Sequence, residues 1–452
     1  MMGEWMAVIH EPARDIPVVE ECDLVVVGGS CTGVFAAVRA ARLGLKVSIV
    51  EKQNCFGGMA TAGNVSIWHK LYNVANDQQI IGGLTQEVID RLKKRRAVYT
   101  RGATNRFELN TEELKIELDE LVSESRITPY LNTMYSSCVS DNGELKAVII
   151  ENKDGRTAIR GRWFVDATGD ADVARHLGVP LHSPQPLQPP TLCAKMYGMD
   201  SLGEFDWQQA VREHGAEFGL EPDWGWGHAV PGIPGLQMRA DNHIFGVDVS
   251  DAQQLTRGEI EGRRRVRALM DLIRKYGPET SEIVLADLAA ALGARETRRI
   301  QAVYQLTGED VLYGRRFDDA IANGCYPVDT HHSDGAGITF KFLDGTQQVI
   351  RERGLEPEKG RWRDTIDRDP TFYQIPYRCL VTEKTPNLIM AGRMLDADKT
   401  AFSAVRVMVN LNQTGEAAGV GAYLGIQDGC AAADLNPQRL RKTLADGGSV
   451  IL

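Results

Sequence analysis

The sequence predicts a two-domain α/β protein in which one domain interrupts the other. Three observations carry this. A strand–helix–strand unit occupies 23–51, and an antiparallel meander follows at 135–165. Strand and helix patterning then returns after residue 375, beyond a long stretch of different texture.

Residues 1–20 read as an irregular arm. Asp23-Leu-Val-Val-Val27 is a short apolar run suited to a buried parallel strand. The turn Gly28-Gly-Ser-Cys-Thr-Gly33 comes next, then a small-residue helix over 34–43 that stops at Gly44. Lys46–Val50 makes the second strand and ends at Glu51, which completes a βαβ unit. Residues 112–125 are amphipathic and predict a helix. Asn142-Gly143 and Asp154-Gly155 are strong hairpin dipeptides, so 135–141, 144–151 and 157–165 predict three antiparallel strands.

From 176 to 375 the texture changes. Pro and Gln cluster at 184–190, Trp and Gly at 224–235, a charged helix is predicted near 251–275, and 297–306 alternates like a strand. This span reads as an inserted α+β substrate domain, flanked by 20–175 and 376–452. Strand character returns at Asn387–Arg393, and an Ala/Gly-rich helix is predicted over 403–424.

Composition limits the partners. The chain has 452 residues and a formal net charge of −10. An acidic chain without a basic face is not built for nucleic acid. No apolar run is long enough to span a membrane. The eight cysteines show no CxxC pair, so they read as reduced thiols, and a cytoplasmic location is expected. No His/Cys/Asp group has metal-ligand spacing.

The first turn has a physical purpose. A dinucleotide pyrophosphate needs close backbone approach and free amides at a helix N-terminus. Gly28 permits the turn, and Gly33 lets the helix approach the sheet. Ser30 stands where a middle glycine is usual. Glu51 ends the second strand, where a carboxylate accepts both ribose hydroxyls. Gly57-Gly58-Met59-Ala60-Thr61 adds a second flexible turn just after the acid. An NAD dehydrogenase has no use for it there, whereas the ribityl chain and ring edge of FAD do.

On these residues the chain resembles FAD-dependent oxidoreductases with a glutathione-reductase-type flavin domain. It is most similar to the bacterial FAD-dependent oxidoreductase family related to fumarate-reductase flavoproteins. The blocks are Val27–Thr61, Asp166-Ala-Thr-Gly-Asp170, and a third series: Ile375-Pro-Tyr-Arg378, Ala391-Gly-Arg393 and Gly415-Glu-Ala-Ala-Gly419. Gly293–Ile300 resembles a further recurrent block. The resemblance implies a discontinuous Rossmann-like FAD-binding domain. It implies FAD contacts at Gly28, Gly29, Ser30, Thr32 and Gly33, at Glu51 and Lys52, and at Gly57, Gly58, Met59 and Thr61. It also implies contacts at Met134, at Ala167, Thr168, Gly169 and Asp170, at Gly392 and Arg393, and at Thr414, Gly415 and Ala417. The last helix is expected to turn the amides near Gly415 and Ala417 toward the ring, where its dipole stabilises the negative charge of a reduced flavin. Cys55 and His69 lie near the second turn and are side chains able to tether a flavin.

The substrate side has fewer signals. His331 follows an acidic residue in an expected loop and titrates near neutrality, which suits proton transfer. Arg298, on an inward strand face, fits an anionic substrate or an internal acid such as Glu296. Tyr377 and Arg378 fall where the two domains should meet. The expected activity is hydride transfer between a small organic molecule and flavin N5 in an interdomain cleft. The alternative is a non-redox isomerase or lyase that retains the flavin as a structural or electrophilic element. A second glycine-rich fingerprint is missing, so NAD(P)H is not expected as a tightly held partner. The Ala-Gly-Arg return block also differs from the Gly-Asp turn of aromatic hydroxylases.

Overall fold

The computed structural model describes residues 7–101, 105–182 and 186–452. Part of the expected N-terminal arm (1–6) and of the Pro/Gln cluster (184–185) therefore lies outside the described residues. The protein is a mixed α/β structure. Its central sheet runs, in spatial order, Thr128–Tyr130, Val47–Val50, Val18–Val27, Gly155–Asp166, Glu144–Asn152, Met134–Asp141. The first four are mutually parallel, and the last three form the expected antiparallel meander.

Gly155–Asp166 joins the two halves. Its start pairs with Glu144–Asn152, and its end pairs in parallel with Leu388–Met390, which returns from far along the chain. The sheet thus draws on three separated segments. Leu24–Val27 are buried on both faces, as a continuous apolar run requires in a parallel sheet. The meander's first hairpin turns at Asn142 and Gly143, both with positive φ (49° and 81°), as its dipeptide demands.

Two helices lie back to back on this sheet. Cys31–Arg42 meets Met408–Asp428 at backbone contact: a Cβ on Gly415 would lie 2.1 Å from Thr32 O, and one on Gly419 would lie 2.2 Å from Ala36 O. Each helical glycine costs roughly 0.5–1 kcal/mol relative to alanine. The close approach it permits offsets that cost. The seam is pinned by a buried ion pair, Arg39 Nη2 to Glu416 Oε2 at 2.5 Å. The expected helix 403–424 is in fact two, Lys399–Val405 and Met408–Asp428, parted where Val407 takes extended backbone angles.

The span 176–375 does not behave as one insert. Residues from Leu192 to Leu292 own a separate core. There Ala252–Tyr276 packs with a four-stranded antiparallel sheet of Trp226–Ala229, Leu236–Ala240, Ala194–Tyr197 and Val284–Leu288. Leu306, Phe317, Ala320–Ala322, Val328 and Tyr373 instead join the core of the first helix. The alternation over 297–306 yields only a two-residue strand, Arg299–Ile300. Among the described residues, no helix is long and apolar enough to cross a membrane.

Candidate functional site

The loop after the first strand is shaped by approaches that only glycine allows. Gly28 has φ 103°, and a Cβ there would sit 2.3 Å from Ala167 O. A Cβ on Gly33 would sit 1.9 Å from Gly28 O, so the helix begins hard against the turn. Ser30 caps it, its Oγ accepting the Gly33 N–H at 3.4 Å. The second turn joins the first directly. The Gly57 N–H donates to Gly29 O at 2.8 Å, and a Cβ on Gly58 would meet Ser30 Cβ at 2.9 Å. Thr61 Oγ1 ties this turn by donating to Phe56 O at 2.6 Å. Ser30, Gly58 and Met59 remain half-buried along its open edge.

Glu51 is buried. Its Oε2 accepts the Gly29 N–H at 2.6 Å, and its Oε1 accepts the Gln53 N–H at 2.8 Å. Its carbonyl accepts the Thr133 N–H at 3.0 Å, which brings the start of the meander and the exposed Met134 alongside. Lys52 is exposed at the strand end.

Asp166 organises the third turn. Its carboxylate accepts both Thr168 N–H and Oγ1–H, then the Val173 and Ala174 N–H groups. Complete burial still pushes its carboxyl up to about 6. Asp170 Oδ1 accepts from Thr297 Oγ1 at 2.8 Å and from Arg393 Nη2 at 2.7 Å. Arg393 Nη1 is buried without a hydrogen-bond partner among the described residues.

A second polar cluster sits at the seam of the two cores. His331 ends the strand Val328–His331, which packs on helix Lys399–Val405. Thr330 Oγ1 donates to Ser403 Oγ at 3.1 Å, and the Gln188 carboxamide accepts the His331 N–H while donating to Ser403 Oγ. His331 Nδ1 lies 2.7 Å from His243 Nε2, and His243 Nδ1 lies 2.8 Å from Asp223 Oδ1. On the other side, His331 Nε2 is 3.3 Å from Asp329 Oδ1. Asp329 Oδ2 accepts the Tyr326 hydroxyl at 2.5 Å, and the Tyr326 ring packs on His69 at 4.0 Å between centroids. Arg406 Nη2 lies 3.3 Å from Asp329 Oδ1. Among the described residues Arg295 uses only Nη1, donating to Pro189 O and Thr191 Oγ1 at 2.6 and 2.7 Å.

Burial, then the neighbouring cations, pushes the imidazoles down. His69 falls to about 3 under burial, Arg406 and Arg106. His331 lies well below its usual range under burial, Arg295 and His243. His243 is lowered chiefly by burial, against the opposing pull of Asp223. Burial and Arg406 lower even the Arg295 guanidinium, to about 10.

The profile of the FAD-dependent oxidoreductase family matches residues 23–444. The chain belongs to that family. FAD is its cofactor, and the protein is an FAD-dependent oxidoreductase. Comparison with curated proteins yields no match. Among solved structures it is similar to a geranylgeranyl bacteriochlorophyll reductase-like protein from Thermoplasma acidophilum. That likeness has 13% identity and a TM-score of 0.46, and covers 94% of this chain and 83% of that one. It is also similar to p-nitrophenol 4-monooxygenase from Pseudomonas putida, with 13% identity, a TM-score of 0.39 and coverage of 64% and 71%. The family assignment rests on the profile match.

The flavin-side residues suit this cofactor. A carboxylate offers about four lone-pair directions, and Glu51 uses two, leaving two for ribose hydroxyls. The orphan Arg393 Nη1 calls for an acceptor such as a phosphate oxygen. The first amides of helix Cys31–Arg42 have no intrahelical partner. Three of the expected contacts do not suit it. Gly415 and Ala417 lie two turns or more inside their helix, with amides committed to it, and Gly415 faces Thr32 rather than a ligand. Thr414 is fully buried, its hydroxyl donating to Leu411 O and accepting the Gly392 N–H. The helix end that offers amides is at Met408, just after Arg406.

Of the four substrate-side candidates, only His331 joins the cluster, and it lies on a strand rather than in a loop. Arg298 pairs with Asp172 at 3.2 Å, while Glu296 takes Arg299 at 2.5 Å. Arg378 makes a two-point pair with Asp319 at 3.0 and 3.2 Å on the surface. Tyr377 is buried and donates to Ala432 O at 3.1 Å. Sequence reasoning passed over His243, Asp223, Tyr326 and Arg406, and gave Asp329 and Arg295 no role of their own. Arg295 lies in the recurrent block 293–300, three residues from the arginine that was chosen.

Proposed function

We propose that this oxidoreductase moves a hydride between a small anionic organic molecule and FAD, in a cleft where the two cores meet. The single observation behind this is the convergence of His331, Asp329, Arg295 and Arg406 at that seam. A neutral imidazole and free guanidinium donors are what such a substrate needs. In this reading a discontinuous Rossmann-like domain, formed by 20–175, 376–452 and the core residues between 306 and 375, carries the cofactor. Gly28, Ser30 and Gly33 bring backbone to the pyrophosphate, Glu51 accepts from the ribose, and Arg393 neutralises phosphate charge.

When bound, FAD supplies the two-electron acceptor or donor. The chain's residues do the rest. Arg295 has donors at Nε and Nη2 without partners among the described residues, and these grip a substrate carboxylate or similar anion. His331, held neutral by burial, takes or returns the proton that accompanies hydride transfer. Arg406 and Tyr326 hold Asp329 beside it. The seam between the cores excludes water and orients the substrate.

Anaerobic mixing with a panel of small carboxylates, read by flavin absorbance, tests this. At least one should bleach the flavin. His331→Ala should keep FAD bound and slow bleaching by roughly 10²–10⁴-fold, the range for a true general acid or base. Arg295→Ala should raise the substrate concentration needed. Turnover with an unchanged flavin spectrum would select the isomerase or lyase alternative, and wild-type reduction by His331→Ala would remove the site.

A further inference from the structure

Asp223 has two surroundings. Inward, its Oδ1 meets His243 Nδ1. Outward, it lines a surface cleft shared with Trp207, Asp241, Glu352 and Arg353, and its side chain keeps 7% exposure there. Two imidazoles therefore bridge a carboxylate that lines this cleft and one that does not, Asp329, whose side chain is 6% exposed, with the closest links at 2.8 and 2.7 Å.

Counting protons along this chain gives its state. Asp223 also accepts the Trp224 N–H at 2.7 Å and the His243 N–H at 2.8 Å, the acceptor-only behaviour of an ionised carboxylate. His243 must then carry its proton on Nδ1. Its Nε2 is left as an acceptor, so His331 donates from Nδ1. That leaves a lone pair on His331 Nε2 facing Asp329 Oδ1, acceptor to acceptor. This is the link where hydrogen-bond geometry fails: among the described residues Asp329 Oδ1 is buried without a hydrogen bond, with the Arg406 guanidinium in ion-pair range at 3.3 Å. Three links need three protons, and two neutral rings supply two. Burial, then Arg295, His243, Arg406 and His332, all disfavour a third proton on His331; Asp223 and Asp329 favour one on His243, where burial outweighs them. Trp224 packs edge-on against His331 at 5.4 Å and adds no charge.

We propose that Asp223, His243 and His331 form a proton relay between the buried site and the outer cleft. This rests on the reading of His331 as the group that exchanges a proton with substrate. A proton leaving the substrate bonds to His331 Nε2. The His331 Nδ1 proton passes to His243 Nε2, and the His243 Nδ1 proton passes to Asp223 Oδ1. Asp223 then releases it to water in the cleft. One proton crosses, both rings end neutral with exchanged tautomers, and the reverse sequence restores them. His243 and Asp223 are relay residues, not groups that touch substrate.

Ring-nitrogen NMR on holoprotein labelled with ¹⁵N-histidine tests the resting state without any substrate. His331→Gln and His243→Gln assign the two rings. At pH 7.5 both should be neutral and protonated on Nδ1; an imidazolium, or Nε2–H on either ring, would overturn the relay. Asp223→Asn tests the transfer. An amide oxygen still accepts the His243 N–H but cannot take up its proton. The tautomers should therefore stay unchanged while flavin reduction slows about 10-fold or more and its pH profile shifts. His243→Ala should be slowed similarly and partly rescued by added imidazole. Wild-type rate and pH profile in Asp223→Asn, with FAD content and helicity retained, would sink the relay but spare His331. If no substrate bleaches the wild-type flavin, the proposed function fails by itself, and the tautomers still decide the relay's proton count.

Discussion

The proposed flavin cradle and the polar seam are built by opposite means. The cradle is made of backbone: Gly28, Gly33, Gly57 and Gly58 matter because they lack a side chain, and a Cβ on any of them would fall within 3 Å of a neighbouring atom. The seam is made of side chains, and the links from Asp223 through His243 and His331 to Asp329 and Arg406 depend on residue types that titrate or carry charge. A backbone site tolerates change in side-chain chemistry but no added bulk. A side-chain network tolerates modest volume change but no lost donor or acceptor. Perturbing each region in its own way therefore separates binding from chemistry.

The largest effect should come from bulk in the cradle and its supporting helix pair. Gly28→Val forces a β-branched residue to φ 103° and into Ala167 O, and Gly415→Val drives into Thr32 O. Both should lose FAD together with thermal stability, measured by flavin fluorescence and circular dichroism. Gly415→Val that lost flavin while keeping its melting temperature would mean the helix touches the ring after all.

Glu51→Ala should come next. Removing the carboxylate proposed to accept from the ribose also strands the Gly29 and Gln53 amides, and FAD affinity should fall by roughly 1–3 kcal/mol in a fluorescence titration. Unchanged affinity would free the acid from its assigned role.

The seam should reveal itself through pH. The folded His69 titrates at about 3, below the 6.5 of an exposed imidazole, so the unfolded chain takes up its proton first. Its contribution is complete above about 6.5 and is lost as pH falls from there toward 3. His331 and His243 act in the same direction. Each such group adds a slope of up to about 1.4 kcal/mol per pH unit. Urea unfolding at pH 7.5 and 5 should show His69→Phe with the shallower loss, and an equal loss in both proteins would contradict its burial as a neutral ring.

The smallest effect is expected at Arg378→Ala. Its pair with Asp319 is half-exposed on the arginine side, so solvent screens it, and its removal should cost about 1 kcal/mol or less. Flavin reduction by substrate should be unaltered. A marked loss of rate would return Arg378 to the substrate side.

Much of the cradle could be read from residues alone, because its determinants are neighbours in the chain. Strand, glycine turn, helix, strand and acid follow one another within 23–51, and Asn142-Gly143 sets a hairpin by local φ alone. The helix break at Val407 was less legible, since no proline or glycine marks it and packing sets its angles. Arg298 and Arg378 looked like substrate-side groups because sequence shows the charge and hides the partner: Asp172 and Asp319 reach them only through the folded topology. The seam is the extreme case. Asp223, His243, Arg295, His331 and Arg406 share no period or spacing, and each alone reads as an ordinary polar residue. A glycine's requirement is a property of its own backbone angles, so sequence carries it. A proton relay is a property of distances between side chains from separate elements, and only the packing of one core against the other creates those distances.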